Sequence, residues 1–204
     1  MKISLQNVGK RYNREWVFKD FSFEFSPHHT YGITGPNGSG KSTLLQVLAG
    51  AMHHSRGTIT YTHEDTGENI ENPYPFISIS APYLELIEEM TAIEFLKFHF
   101  SFKQRIKEID EILNEINLSH AMNKQIRFFS SGMKQRLKLA QAFFCNTPAL
   151  LLDEPLTNLD SEGVALYHQL INQYANDRLL IISSNDKNEY HFCDEIISIL
   201  DFKK

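Results

Sequence analysis

Polar and apolar positions alternate at the start of the chain and take on a helical period in its middle. Ile3, Leu5 and Asn7 alternate with polar or small neighbours, and Phe21, Phe23 and Phe25 alternate with Ser22 and Glu24. A period of two lays one face on a core and the other toward water, so both segments are predicted as half-buried antiparallel strands. Pro27, His28 and His29 mark a turn before a short strand over 31–34. Residues 41–49 are predicted as a helix, with Gly50 just past its end, where a left-handed residue closes the last turn. Further strands are predicted over 57–62 and 76–80, and the polar stretch 63–72 between them as an exposed hairpin tip.

From about residue 91 to about 144 the period is helical, with Ile106, Ile109, Leu113 and Ile116 forming one apolar stripe at spacings of three and four. Residues 149–152 and 179–182 are unbroken apolar runs, the pattern of parallel strands covered on both faces. A helix over 161–175 joins them. These segments predict an α/β protein: a mostly parallel sheet, an antiparallel N-terminal β subdomain, and a helical lobe inserted at about 82–147. No repeat or linker interrupts the 204 residues, so one domain is expected.

Composition narrows the function classes. The formal net charge of -5 argues against a nucleic-acid partner, despite the local basic run 134–138. The apolar runs fall far short of the roughly 20 residues that cross a bilayer, and residues 1–10 alternate rather than form a signal segment. The chain is therefore expected to span no membrane. Cys145 and Cys193 belong to no metal-ligand spacing and are expected as reduced, partly buried thiols.

The chemistry begins after the strand over 31–34. Gly35, Pro36, Asn37, Gly38, Ser39, Gly40, Lys41, Ser42 and Thr43 match G-x-x-x-x-G-K-[ST] between a strand and a helix. Glycines there let successive N–H groups turn inward on phosphate oxygens, and the helix N-terminus adds its partial positive charge. Lys41 is expected to reach the β- and γ-phosphates of ATP, and the Ser42 hydroxyl to ligate Mg2+. This loop makes the predicted core a P-loop NTPase core. At the end of the run 149–152 stand Asp153 and Glu154: Asp153 is placed for Mg2+, and Glu154 to polarise a water in line with the γ-phosphate.

Phe129, Ser130, Ser131, Gly132, Met133 and Arg136 resemble the LSGGQ-x-x-R signature of the ATP-binding cassette (ABC) family, about 17 residues before the Asp153 strand. Thr157 to Asp160 resemble that family's D-loop, and the resemblance covers nearly the whole chain. It implies that Ser130, Ser131 and Gly132 meet the γ-phosphate held by an opposite subunit. A head-to-tail dimer, with itself or a related cassette, follows from that arrangement. It also implies that Tyr12 stacks on adenine, with Trp16 and Phe18 as reserve candidates, and that Asp160 belongs to the nucleotide-binding set. A membrane-spanning transporter subunit would be the partner, with the chain held peripherally on the cytoplasmic face of the membrane.

Three positions depart from the family pattern. The usual glutamine at the start of the helical lobe is absent, and Ala81 and Pro82 cannot replace it as ligands. Asn185 stands where the family has its switch histidine; it can donate a hydrogen bond but cannot carry a positive charge. Ser131 replaces a glycine. The expectation is an ATPase of low basal rate that energises transport, with Glu154, Lys41 and Asn185 as its catalytic groups. Two alternatives stay open: a regulatory or weakly hydrolysing cassette, and a soluble cassette ATPase outside transport. Tyr83, Leu84 and Leu86 are candidates for receiving the membrane partner. His28, His29, His53 and His54 are expected as solvated loop residues.

Overall fold

A computed structural model describes residues 1–203. The N-terminal strands β1 (Lys2–Tyr12) and β2 (Glu15–Phe25) pair antiparallel, and β4 (Arg56–Thr62) pairs antiparallel with the other edge of β1. Ile3 and Leu5 are buried as their alternation predicts, but Asn7 is not the next inward residue. The register slips between Leu5 and Val8, Asn7 takes φ +50, and Val8 goes inward instead. The extra residue of the bulge turns the strand by one step, which a strict period of two cannot foresee. Gly57 lies against it, where a Cβ would be 2.4 Å from the Asn7 carbonyl oxygen.

The second sheet is wholly parallel. Its order is β5 (Ile77–Ser80), β6 (Ala149–Asp153), β7 (Leu179–Ser183), β3 (Thr30–Thr34), β8 (Glu195–Ser198). Every residue of β6 and β7 is buried. Alternate β6 residues serve two cores. Leu150 and Leu152 pack with the helical side, including Leu137, Phe143 and Tyr167. Ala149 and Leu151 pack with Leu44, Leu45 and the antiparallel sheet. Burial of this kind is worth roughly 1.5–3 kcal/mol for each full-sized side chain, so these faces hold the two layers together.

Strands β4 and β5 do not form a hairpin, although the polar stretch 63–72 is expected as an exposed hairpin tip between them. β4 belongs to the antiparallel sheet and β5 to the parallel one. The chain turns tightly after β4, with Gly67 N–H bonded to the His63 carbonyl, and returns through buried Ile70, whose N–H reaches Tyr61 O at 2.8 Å. The tip is local, and the rest is a crossover between sheets.

Helix α1 (Lys41–Leu48) ends as predicted: Gly50 at φ +71 donates to Val47 O and Ala51 to Gln46 O, satisfying carbonyls left free by the last turn. The helical middle is broken rather than continuous. It comprises α2 (Ala92–His99), α3 (Ile109–Glu115) and α4 (Ser131–Phe143), with 3-10 turns at Ser119–Ala121 and Ile126–Phe128. Ile106 precedes α3 and is exposed, so it leaves the predicted stripe. Asn117, at φ +59, closes α3 with the same pair of bonds that glycine makes after α1. Helices α5 (Ser161–Tyr174) and α6 (Lys187–Tyr190) flank β7. Among the described residues no helix is long and apolar enough to cross a membrane.

Candidate nucleotide site

The order β6-β7-β3 sets three strand ends side by side, and the carboxyl ends of parallel strands are where such sheets bind ligands. The loop after β3 carries residues 35–40, that after β6 carries Glu154, and that after β7 carries Ser184 and Asn185. A cavity of about 510 Å3 opens there, lined by Asn37 to Thr43 together with Tyr12, Val17 and Glu154.

Gly40 adopts φ +102, and a Cβ on it would meet Val17 Cγ1 at 2.3 Å, so no other residue fits this corner. Ser39 N–H closes the loop on Pro36 O at 3.1 Å. The Lys41 ammonium is buried under the loop and donates to the carbonyls of Gly35 at 2.8 Å and Pro36 at 3.4 Å. Ser39 Oγ is buried and has no partner. With no acidic side chain in its first turn, α1 keeps its N-terminal field uncancelled. A buried cation and a buried hydroxyl without a partner among the described residues, beside the N-terminus of α1, make a receptor for a polyanion.

Asp153 is 1% exposed and its Oδ1 has no hydrogen-bond partner. Burial raises its carboxyl above the ordinary range; the Ser42 and Ser183 hydroxyls and the Lys41 charge oppose that, and Glu154 adds to it. A desolvated carboxylate with a free oxygen beside a serine hydroxyl is a donor set suited to a hard divalent cation. Glu154 follows in the left-handed region at φ +44, at a cost of roughly 1–2 kcal/mol for a residue with a Cβ. Its N–H bonds Ser183 O at 2.9 Å, and the residue lines the cavity.

Ser130 is the N-cap of α4, accepting the Met133 N–H at 3.2 Å, and the 130–132 end of the helix is exposed apart from half-buried Gly132. None of Ser130, Ser131 and Gly132 lines the phosphate-loop cavity. They border the 155–160 loop instead: a Cβ on Gly132 would lie 3.2 Å from Asn158 O. Asp160 is also outside the cavity. It caps α5 through Gly163 N–H at 2.8 Å and accepts Arg136 at 3.0 Å, tying the loop to α4. Asn185 is exposed and donates to the Asn37 side chain at 3.0 Å, which places it on the rim of the phosphate loop.

Tyr12 is half exposed at the mouth of the cavity, with Lys10 5.2 Å from its ring centre and its hydroxyl 3.2 Å from Met52 Sδ. Phe18, fully buried in the core, is removed as a reserve stacker, and Trp16 packs on Arg11. His28 pairs with Glu64 and His54 with the Gly57 carbonyl, away from the site. Leu86 is a core residue.

Tyr83, 39% exposed, does not line the cavity; partial burial and then the Asp153 charge push its phenol upward, against the Gln46 side chain of α1.

The model of the ABC transporter family matches residues 18–157, more than half of the chain. Among curated proteins, the chain is 31% identical to the uncharacterized ABC transporter ATP-binding protein YybJ of Bacillus subtilis, covering 98% of this chain and 89% of that one. It is 30% identical to YxlF of the same organism, another ABC transporter ATP-binding protein, over 96% of this chain but 66% of the longer relative. Among solved structures, the dimeric bacterial ABC transporter cassette MJ0796 superimposes with a TM-score of 0.81 at 23% identity, covering 96% of this chain and 93% of that one. With the phosphate loop, the Asp153–Glu154 strand end and the signature helix arranged as described, the chain belongs to the ABC transporter family, as an ATP-binding subunit.

Proposed function

We propose that this chain, as one nucleotide-binding domain with residues 82–147 as its helical lobe, hydrolyses Mg-ATP in a head-to-tail dimer and drives a membrane-spanning transporter subunit. The observation that carries this reading is the division of the site. The phosphate loop and Glu154 share one cavity, whereas the signature end of α4 lies exposed outside it. A helix N-terminus with free N–H groups suits a γ-phosphate, and a second copy related by a two-fold axis offers one to each cavity. The MJ0796 cassette, which shares this fold, is dimeric.

In this reading Ser42 and Asp153 would hold Mg2+, which would supply charge to polarise the phosphate oxygens. Lys41 turns from the Gly35 and Pro36 carbonyls toward the β- and γ-phosphates. Glu154 accepts a proton from the attacking water. Asn185 donates to the transferring phosphate in place of the Asn37 side chain. Lacking the charge of an imidazolium, it supports a low basal rate rather than none, and that separates a slow motor from a purely regulatory cassette. Nothing in the acidic charge balance favours a nucleic-acid partner.

Stacking by Tyr12 is tested by substitution. Tyr12→Ala is expected to weaken ATP binding about five- to tenfold, matching roughly 1 kcal/mol of stacking, while Tyr12→Phe stays within about twofold. Titration with a fluorescent ATP analogue reads both, and equal losses in the two variants would reject the stacking role.

The membrane partner has a place to sit. Tyr74, Leu84, Ile87, Phe98 and Phe102 line a groove of about 350 Å3, with Phe102 60% exposed. An apolar groove of this size fits a short amphipathic helix at a membrane surface. Phe98→Asp is expected to move most of the chain from the membrane fraction to the soluble fraction of its host, with turnover of the isolated chain within about twofold, because the groove is separate from the phosphate cavity. Unchanged fractionation would remove this surface from the account.

A further inference from the structure

Glu189 on α6 is a buried carboxylate outside the nucleotide cavity that catalysis as described does not use. It is 3% exposed. Its Oε1 accepts the Leu156 N–H at 2.6 Å, a bond that spans 33 positions of sequence, and its Oε2 has no partner. Burial lifts it to about 7, against the Ser184 hydroxyl and the Leu156 N–H, with Asp186 and Glu154 adding to the rise. Burying a carboxylate with one oxygen unsatisfied is costly, and a core needing only packing would be better served by an apolar side chain. What the carboxylate does supply is position.

The backbone from Glu154 to Leu156 is fastened residue by residue to three different elements. Glu154 N–H bonds Ser183 O of β7 at 2.9 Å. The Gln135 side chain of α4 donates to Pro155 O at 2.8 Å. Glu189 takes the N–H of Leu156. Glu189 is itself anchored, because the Tyr167 hydroxyl of α5 donates to its carbonyl at 2.8 Å. Its helix is capped by Asp186, next to Asn185. The Glu189 carboxylate is therefore the tie between the segment bearing Asn185 and the left-handed turn bearing Glu154.

We infer that Glu189 is a positioning residue for ATP hydrolysis: by holding the Leu156 N–H it fixes the loop after Glu154, and so the place of the Glu154 side chain. The inference rests on Glu154 being the group that activates water.

The test uses the full chain with Glu189→Ala and Glu189→Gln; the amide oxygen of glutamine can still accept from Leu156. Amide exchange at Leu156 is expected to rise at least about tenfold in Glu189→Ala and to stay within about threefold in Glu189→Gln. In steady-state hydrolysis, Glu189→Ala is expected to lose about tenfold in kcat with KM for ATP within about twofold, whereas Glu189→Gln keeps most of its kcat. If the alanine variant lacks a cooperative melt, Glu189→Met, which keeps volume without an acceptor oxygen, takes its place. Parental kcat in the variant without an acceptor, a loss in Glu189→Gln as deep as in Glu189→Ala, or unchanged exchange at Leu156 overturns the inference. A parent that releases no phosphate overturns the ATPase reading and this inference with it, while an active parent beside an equally active Glu189→Ala overturns this inference alone.

Discussion

Lys41→Ala is expected to weaken ATP binding by about 100-fold, the largest change in affinity from any single substitution at the site. A hydrogen bond to a charged group contributes roughly 1.5–3 kcal/mol, and Lys41 is buried where solvent screening is weak. The substitution acts twice. It removes the only ammonium that lines the cavity among the described residues, and it leaves the Gly35 and Pro36 carbonyls without the donor that now holds the loop in shape. Titration calorimetry with ATP in the presence of Mg2+ reads the change directly. Affinity within threefold of the parent would mean that the polyphosphate is bound elsewhere.

Glu154→Gln is expected to lower turnover by at least about 100-fold while ATP affinity stays within about twofold. Glutamine keeps the volume and the hydrogen-bonding reach but cannot take a proton, and general-base catalysis is worth about 10²–10⁴-fold. The pattern of lost kcat with retained binding separates this residue from Lys41, for which we propose a part in binding as well as catalysis. Unequal effects on the two parameters follow from where the groups sit: Lys41 under the phosphate loop, Glu154 on a strained turn facing it. Parental turnover in Glu154→Gln, measured by phosphate release, would show that another base acts.

Much of this was legible in the sequence because it is local. The phosphate loop declares itself through glycines at fixed offsets, since only those positions need positive φ. The parallel strands β6 and β7 declare themselves through unbroken apolar runs, since both of their faces are covered. Gly50 was readable as a helix terminator for the same reason.

What could not be read depends on partners distant along the chain. The bulge that turns Asn7 outward and Val8 inward follows from pairing with β2 and from Gly57 in β4, not from the pattern of β1 itself. Asn117 ended a helix that the apolar stripe seemed to continue, because asparagine tolerates the left-handed region without the glycine that usually announces it. Leu86 and Tyr83 sit three residues apart in one loop, yet one is core and the other is exposed. Glu189 reads as an ordinary acid in a polar stretch until the fold carries it 33 positions back to Leu156. Asp160, read as part of the nucleotide set, sits where it caps α5 and pairs with Arg136, and so links the signature helix to the loop that follows Glu154.

The most direct test of the account is phosphate release by the purified chain at saturating Mg-ATP, followed as protein concentration is raised. If, as proposed, each cavity supplies one half of the site and a second copy's signature helix the other, turnover per chain climbs with concentration and levels off once pairs predominate. No phosphate release at any concentration, or a turnover per chain that is constant down to the highest dilution, would contradict it.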